Sequence, residues 1–242
     1  VIAPDQRGYS PNARPTFIKE YSLKHTSRDV LAIANAYNLQ RFHLVGHDWG
    51  SSVGWAFIAK HPERLYSWTS LSIPHMKAFQ EAYRSDFDQQ RKSKYIRFFN
   101  MPFFPELYLS FNGYNNLKSI WRVHDDEEKE AYLSVFRQSG ALRSALNWYR
   151  ANIGRHRNPT DHINFGIVEV PSLLIWGNMD MAIGRKSIDL NRQYMAGPYN
   201  LLELYAGHWL IQESFDDVSK AIINHIKTYS LEYYEPQLGR RK

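Results

Sequence analysis

Short apolar runs, each closing on a Gly or Pro turn, alternate along this chain with longer stretches whose apolar residues recur at helical spacing. Residues 1–3 lead into the turn Pro4-Asp5-Gln6-Arg7-Gly8-Tyr9-Ser10, residues 42–45 end at Gly46, residues 68–73 at Pro74 and residues 171–176 at Gly177. A weaker run, residues 201–205, ends at Gly207. Strand-length runs separated by helix-length patterns are the signature of a parallel sheet with crossover helices, an α/β class. In such a sheet the functional loops lie beyond the strands' C-terminal ends.

The helical stretches follow the same logic. Residues 27–37 place Val30, Leu31, Ile33 and Ala34 on one face with Ser27 as N-cap, and residues 51–60 stop before His61-Pro62. Residues 217–229, with Val218, Ala221, Ile222, Ile223 and Ile226, predict a closing amphipathic helix. Between residues 75 and 160 the alternation stops. That stretch is rich in aromatic and charged residues, contains no convincing strand, and reads as helices over 79–95, 105–112, 126–139 and 141–153. The expected organisation is therefore a sheet core over 1–74 and 161–242, with an inserted helical lid over 75–160.

Composition narrows the classes further. With 7 Trp, 16 Tyr and 13 Phe in 242 residues the chain is too aromatic to be disordered. The absence of cysteine excludes a disulfide scaffold, a zinc-thiolate site and a cysteine nucleophile. The net charge of +6 comes from scattered Lys and Arg; the dense group Gly239-Arg240-Arg241-Lys242 reads as a solvated chain end, and nucleic-acid binding is not expected. No apolar stretch approaches the length of a membrane span. No signal-peptide core is visible, which points to a cytoplasmic location.

Three segments carry chemistry. Leu44-Val45-Gly46-His47-Asp48-Trp49-Gly50 lies at a strand-to-helix junction and has the form Gly-x-nucleophile-x-Gly. Small flanking residues suit a turn that strains its central residue and brings the backbone close on both sides. Here that residue is Asp48, a carboxylate that would attack carbon and form an alkyl ester. The bland alternative is an Asp that N-caps the following helix. In Trp176-Gly177-Asn178-Met179-Asp180 an acid follows a buried strand, as acids that cap helices or face water also do. In Gly207-His208-Trp209 a histidine follows the last strand. The order nucleophile, acid, histidine is that of the α/β-hydrolase triad.

Together with the turn at residues 5–10, these segments closely resemble the α/β-hydrolase-fold epoxide hydrolases over nearly the whole chain. The resemblance implies that Asp48 opens an epoxide and that His208, supported by Asp180, activates water against the resulting ester. It implies that Trp49 gives an oxyanion N–H, and that two lid tyrosines hydrogen-bond the epoxide oxygen. Tyr149, in Asn147-Trp148-Tyr149-Arg150, matches the second tyrosine motif, and Tyr95 is the best match for the first. Trp148, Phe98 and Phe99 would line a pocket for an apolar epoxide. The implied partners are that epoxide and water, with no metal or cofactor; the sequence does not fix an oligomeric state.

Two alternatives remain open. A haloalkane dehalogenase shares the Asp nucleophile and the following Trp, and Trp121 or Trp148 could serve as a second halide donor. A non-catalytic remnant or binding module is the other, because the family's His-Gly-x-Pro oxyanion segment occurs nowhere in the chain. The expectation is a chain truncated at its N-terminus, with early strands and that loop upstream.

Overall fold

A computed structural model describes residues 1–153 and 161–230; the basic group at 239–242 and the last residues of the expected lid lie outside them. In chain order the elements are α1 (Leu23–Ala36), β1 (Phe42–His47), α2 (Trp49–Ile58), β2 (Leu65–Leu71), α3 (Met76–Ser85), α4 (Phe87–Lys92), α5 (Lys94–Phe99), α6 (Phe104–Lys118), α7 (Asp126–Phe136) and α8 (Ala141–Asn152). Then come β3 (Ser172–Gly177), α9 (Arg185–Asp189), β4 (Tyr199–Leu204), α10 (Leu210–Glu213) and α11 (Phe215–Thr228).

The described residues divide into two compact units. One comprises Ser27–Ser93 with the residues from Ile163 onward, and the other Val1–Thr26 with Lys94–His162. Thus α3 and α4 belong to the unit that holds the sheet.

In the sheet unit the four strands pair in parallel in the order β1-β2-β3-β4. Parallel strands share one direction, so the loops after β1, β3 and β4 leave from the same edge. Strand β3 is buried along its whole length, as its unbroken apolar run requires. Leu71, Leu173, Ile175, Ala206, Leu210 and Val218 form one core cluster, covered by Leu202, Leu204, Ala221 and Ile222; of the face predicted for the closing helix, Val218, Ala221 and Ile222 pack here, whereas Ile223 is exposed. Under β1 and β2 lies α2, buried from Ser51 to Ile58. It packs closely because Gly54 has no side chain: a Cβ there would sit 2.0 Å from the Trp68 ring.

The helical unit rests on α8. Its buried Trp148 donates its indole N–H to the Arg7 carbonyl at 3.0 Å, and the Tyr21 hydroxyl donates to the Pro15 carbonyl and accepts from Ser144 Oγ, each at 2.8 Å. Arg150 forms a two-pronged pair with Glu106, at 2.7 and 2.9 Å, and also donates to the Met101 carbonyl.

Three local expectations are corrected. Residues 1–3 are not a strand: they belong to no ladder, and Val1 is exposed. An apolar run becomes a strand only when a neighbour takes up its backbone hydrogen bonds. Ser27 does not cap α1, which starts a turn earlier at Leu23 and carries Ser27 as a buried interior residue. The helix expected over 79–95 is three helices. Asp86 ends α3 and turns its carboxylate onto the Gln89 N–H at 2.8 Å, restarting the chain as α4. The helix expected to end at 112 does break there: α6 leaves helical geometry from Phe111 to Tyr114, with Asn112, Gly113 and Tyr114 all at positive φ.

Candidate active site

The turn after β1 has to place a side chain in the open while the chain reverses into α2. Asp48 adopts φ +52° and ψ −119° to do so, a region costly for a residue with a Cβ. The two flanking glycines bring their backbones together: a Cβ on Gly46 would lie 2.5 Å from the Gly50 carbonyl oxygen. Ser51 Oγ ties the turn down by donating to the Gly46 and Leu71 carbonyls at 2.6 and 3.0 Å. Although Asp48 occupies the N-cap position of α2, its side chain makes no such cap to the N2 or N3 amide. One oxygen instead lies 3.3 Å from His208 Nε2.

His208 reaches this carboxylate from the loop after β4, and Asp180 reaches His208 from the loop after β3. The His208 Nδ1 to Asp180 Oδ2 distance is 2.9 Å. Asp180 is fully buried, and its other oxygen accepts from the Ala182 and Ile183 N–H groups at 2.7 and 3.1 Å. It neither caps a helix nor faces water. The structure thus joins residues 48, 180 and 208 into one line of carboxylate, imidazole and carboxylate.

The backbone of His208 is held on every side. Glu213 accepts from the Gly207 N–H at 2.6 Å and from the Trp209 N–H at 3.1 Å. A Cβ on Gly207 would lie 2.8 Å from that carboxylate, so glycine is what lets Glu213 approach. The His208 carbonyl accepts from His47 Nε2 at 2.9 Å and from Ser72 Oγ at 3.4 Å. Reading the sequence did not reveal Glu213, Ser72 or the anchoring role of His47. An acid at the end of a short helix and a serine after a strand carry no signal of their own, because only the fold brings them to this loop.

Charge organises the line. Burial opposes a charge on His208, but hydrogen bonds and attraction from Asp180 and Asp48 outweigh it, and the imidazole pKa is pushed up to about 10. Burial likewise opposes ionised Asp48, yet the His208 hydrogen bond and charge prevail, followed by His47 and the Trp49 N–H. The Asp48 carboxyl stays below its ordinary value. Burial and the neighbouring His208 charge lower His47, so it remains neutral and donates through Nε2. Among the described residues no group of three or more His, Asp or Glu side chains is placed to hold a metal ion.

The lid residues singled out from the sequence lie in the helical unit. Tyr95 on α5 and Tyr149 on α8 meet edge to face, ring centroids 5.9 Å apart, and Phe99 packs against both at 5.4 and 5.0 Å. Phe98 neighbours Phe99 and meets Tyr108 edge-on. Trp148 differs from the others in being fully buried.

The sequence profile described as alpha/beta hydrolase fold matches residues 1–214, most of the chain. The chain belongs to the alpha/beta hydrolase fold family. It is 31% identical over 239 residues to human (Homo sapiens) epoxide hydrolase 4, covering 94% of this chain and 65% of that one. The chain thus spans just under two thirds of that relative's length. An AB hydrolase superfamily protein of Bacillus subtilis (strain 168) is 30% identical over 236 residues, covering 94% of this chain and 80% of its own. Among solved structures, an epoxide hydrolase of Bacillus megaterium with a bound inhibitor superposes with a TM-score of 0.79 at 20% identity, over 88% of this chain and 79% of that one. A Salmonella enterica protein titled a putative acyltransferase reaches 0.81 at 20% identity, over 94% and 78%. One fold under two functional names shows that architecture alone does not choose the reaction.

Proposed function

We propose that this chain is the triad-bearing part of an epoxide hydrolase that turns an apolar epoxide into a vicinal diol. The observation that carries the proposal is the Asp48, His208, Asp180 line at the strained turn, in a chain whose relatives include proteins named epoxide hydrolase.

Asp48 enters the reaction ionised. One of its oxygens attacks a ring carbon, the carbon–oxygen bond of the epoxide breaks, and the electron pair goes to the leaving oxygen. That oxygen takes a proton from a phenol, a role assigned to Tyr149 and Tyr95 on the family resemblance. Forming the ester cancels the Asp48 charge, and with it goes part of what raised His208. Its pKa falls, the imidazolium gives up its Nε2 proton through solvent to the phenolate left by ring opening, and the neutral imidazole accepts a proton from water through Nε2. The hydroxide adds to the ester carbonyl carbon of Asp48, the tetrahedral intermediate collapses, the diol alkoxide leaves with the proton returned by His208, and the new Asp48 carboxylic acid passes its proton to the imidazole, restoring carboxylate and imidazolium. Asp180 keeps Nδ1 protonated and supports the imidazolium at both ends of the cycle. The Trp49 N–H, which already contacts the Asp48 carboxylate, serves the oxyanion. The division into a core at 1–74 and 161–242 and a lid at 75–160, with Phe98 and Phe99 against substrate, belongs to the same proposal. So does action without a cofactor.

The haloalkane reading is weakened by Trp148, whose indole N–H is bound to the Arg7 carbonyl instead of being presented to a halide.

The test is intact-protein mass spectrometry of His208→Gln with a panel of small aryl and aliphatic epoxides. The expected result is a stoichiometric adduct on Asp48 that does not turn over. An unmodified, folded protein under saturating epoxide overturns the mechanism. Halide release without diol from the unsubstituted chain selects the dehalogenase instead, and no product from any substrate selects the non-catalytic remnant.

A further inference from the structure

Helix α4 follows α3, far along the chain from the loop that carries Asp180, yet it meets that loop through a fully buried glutamine. Gln89 uses every hydrogen-bonding position of its amide. Its nitrogen donates to the Ala182 carbonyl at 2.8 Å and to Ser93 Oγ at 3.0 Å; its oxygen accepts from the Gly184 N–H at 2.8 Å and from Ser187 Oγ at 2.6 Å. Two of these partners, Ala182 and Gly184, bracket Ile183. The peptide between Ala182 and Ile183 is held at both ends: its carbonyl accepts from Gln89, and its N–H donates to Asp180 Oδ1, which also accepts from the Ala182 N–H one peptide earlier. One turn further along, Lys92 donates to the Asp180 main-chain carbonyl. A Cβ on Gly184 would meet the Asp88 carboxylate at 3.1 Å and Gln89 Oε1 only at ordinary contact distance, 3.5 Å.

A buried amide with all four bonds made is costly to disturb, because removing one partner leaves the others desolvated and unpaired. It therefore holds its partners in one geometry. The chain Gln89, Ala182–Gly184, Asp180, His208 is continuous and lies within the sheet unit.

We infer that Gln89 is a positioning residue: it holds the loop after β3 so that Asp180 Oδ1 is occupied by backbone N–H groups and Oδ2 is aimed at His208 Nδ1. The assignment of a reaction to this line rests on the function proposed above, but the positioning itself is measurable without substrate. A carboxylate bound to a histidine Nδ1–H moves that proton far downfield in the NMR spectrum, and in the full chain the signal is assigned by its loss in His208→Gln.

Gln89→Met preserves side-chain length and removes all four bonds. The expected result is an upfield move or loss of the His208 signal. With an epoxide that labels Asp48, hydrolysis of the adduct should slow at least about tenfold while its formation changes much less. Ser187→Ala removes one bond to Gln89 and should move the signal less, in the same direction. A folded Gln89→Met chain whose signal and adduct hydrolysis are unchanged overturns the inference, even if its thermal stability has fallen. Should Gln89→Met fail to fold, an unmoved signal in Ser187→Ala overturns it. The unsubstituted chain lacking the downfield signal does so as well. Failure of that chain to react with any epoxide overturns the proposed function alone and leaves the NMR result to judge Gln89.

Discussion

Both units bury ionised side chains, and they handle them in opposite ways. In the helical unit Arg150 and Glu106 neutralise each other through two parallel bonds, a closed pair with its geometry satisfied. In the sheet unit one imidazole stands between two carboxylates, so the line carries an excess acid, and that acid is Asp48, a third of whose side chain remains exposed. Surplus charge at a strained, accessible turn is what the proposed reaction calls for; matched charge inside a helix pair is an arrangement for stability. The backbone makes the difference possible. N–H groups in the loops after β3 and β4 fix Asp180 and flank His208, whereas the helical unit packs through side chains that reach loop carbonyls, Trp148 to Arg7 and Arg150 to Met101, and through aromatic edges.

This contrast can be broken at either end. The largest effect is expected at the surplus charge. Asp48→Asn should reduce single-turnover reaction with epoxide by on the order of 10⁴-fold or more and leave no covalent adduct, with the fold intact by circular dichroism. At the matched charge, Arg150→Met strands Glu106 and should cost about 3 kcal/mol or more in urea denaturation; the paired change Arg150→Met with Glu106→Gln should recover much of that loss. If the single and double variants prove equally stable, the pair is not the closed unit its geometry suggests.

A pH experiment sharpens the comparison within the sheet unit. His75 is buried, stacked on Tyr194 at 4.6 Å and edge-on to Trp55. Burial, then the Lys77 charge, lowers its pKa from 6.5 to about 4. The unfolded chain therefore binds a proton here that the folded chain refuses. The contribution of His75 is fully present above pH 6.5 and is lost as pH falls towards 4. Each pH unit of displacement carries about 1.4 kcal/mol, so the loss approaches about 3 kcal/mol. Urea titrations should show it, and His75→Phe should flatten the pH dependence in that window. The smallest effect belongs to the aromatic cluster: Tyr149→Phe should slow ring opening by on the order of 10²-fold without changing adduct hydrolysis, read by rapid-quench mass spectrometry. Unchanged ring opening removes Tyr149 from the mechanism.

The sheet was legible because its code is short. A run such as Leu173 to Trp176 can only be buried on both faces, and the Gly that ends it marks where the chain turns. The helical stretches were legible as helices but not in their ends, because Asp86 acts through a local hydrogen bond and Asn112 through a backbone angle that periodicity does not encode, and a serine buried inside a helix reads like one that caps it. Residues 1–3 carried the apolar pattern of a strand and lacked a ladder, which no pattern within three residues reveals.

Asp48, Asp180 and His208 could be chosen from the sequence because each follows a strand, and strand order alone brings parallel strand ends to one edge. What the sequence could not supply was the support: Gln89 beneath the Asp180 loop, Glu213 across the His208 loop, and Ser72 and His47 on its carbonyl. The residues assigned to the proposed reaction are announced by chemistry that few residue types perform at a recognisable turn. Their supports are ordinary amides, acids and hydroxyls whose meaning is a distance of about 3 Å to a backbone group tens of residues away, and only the packed chain sets that distance.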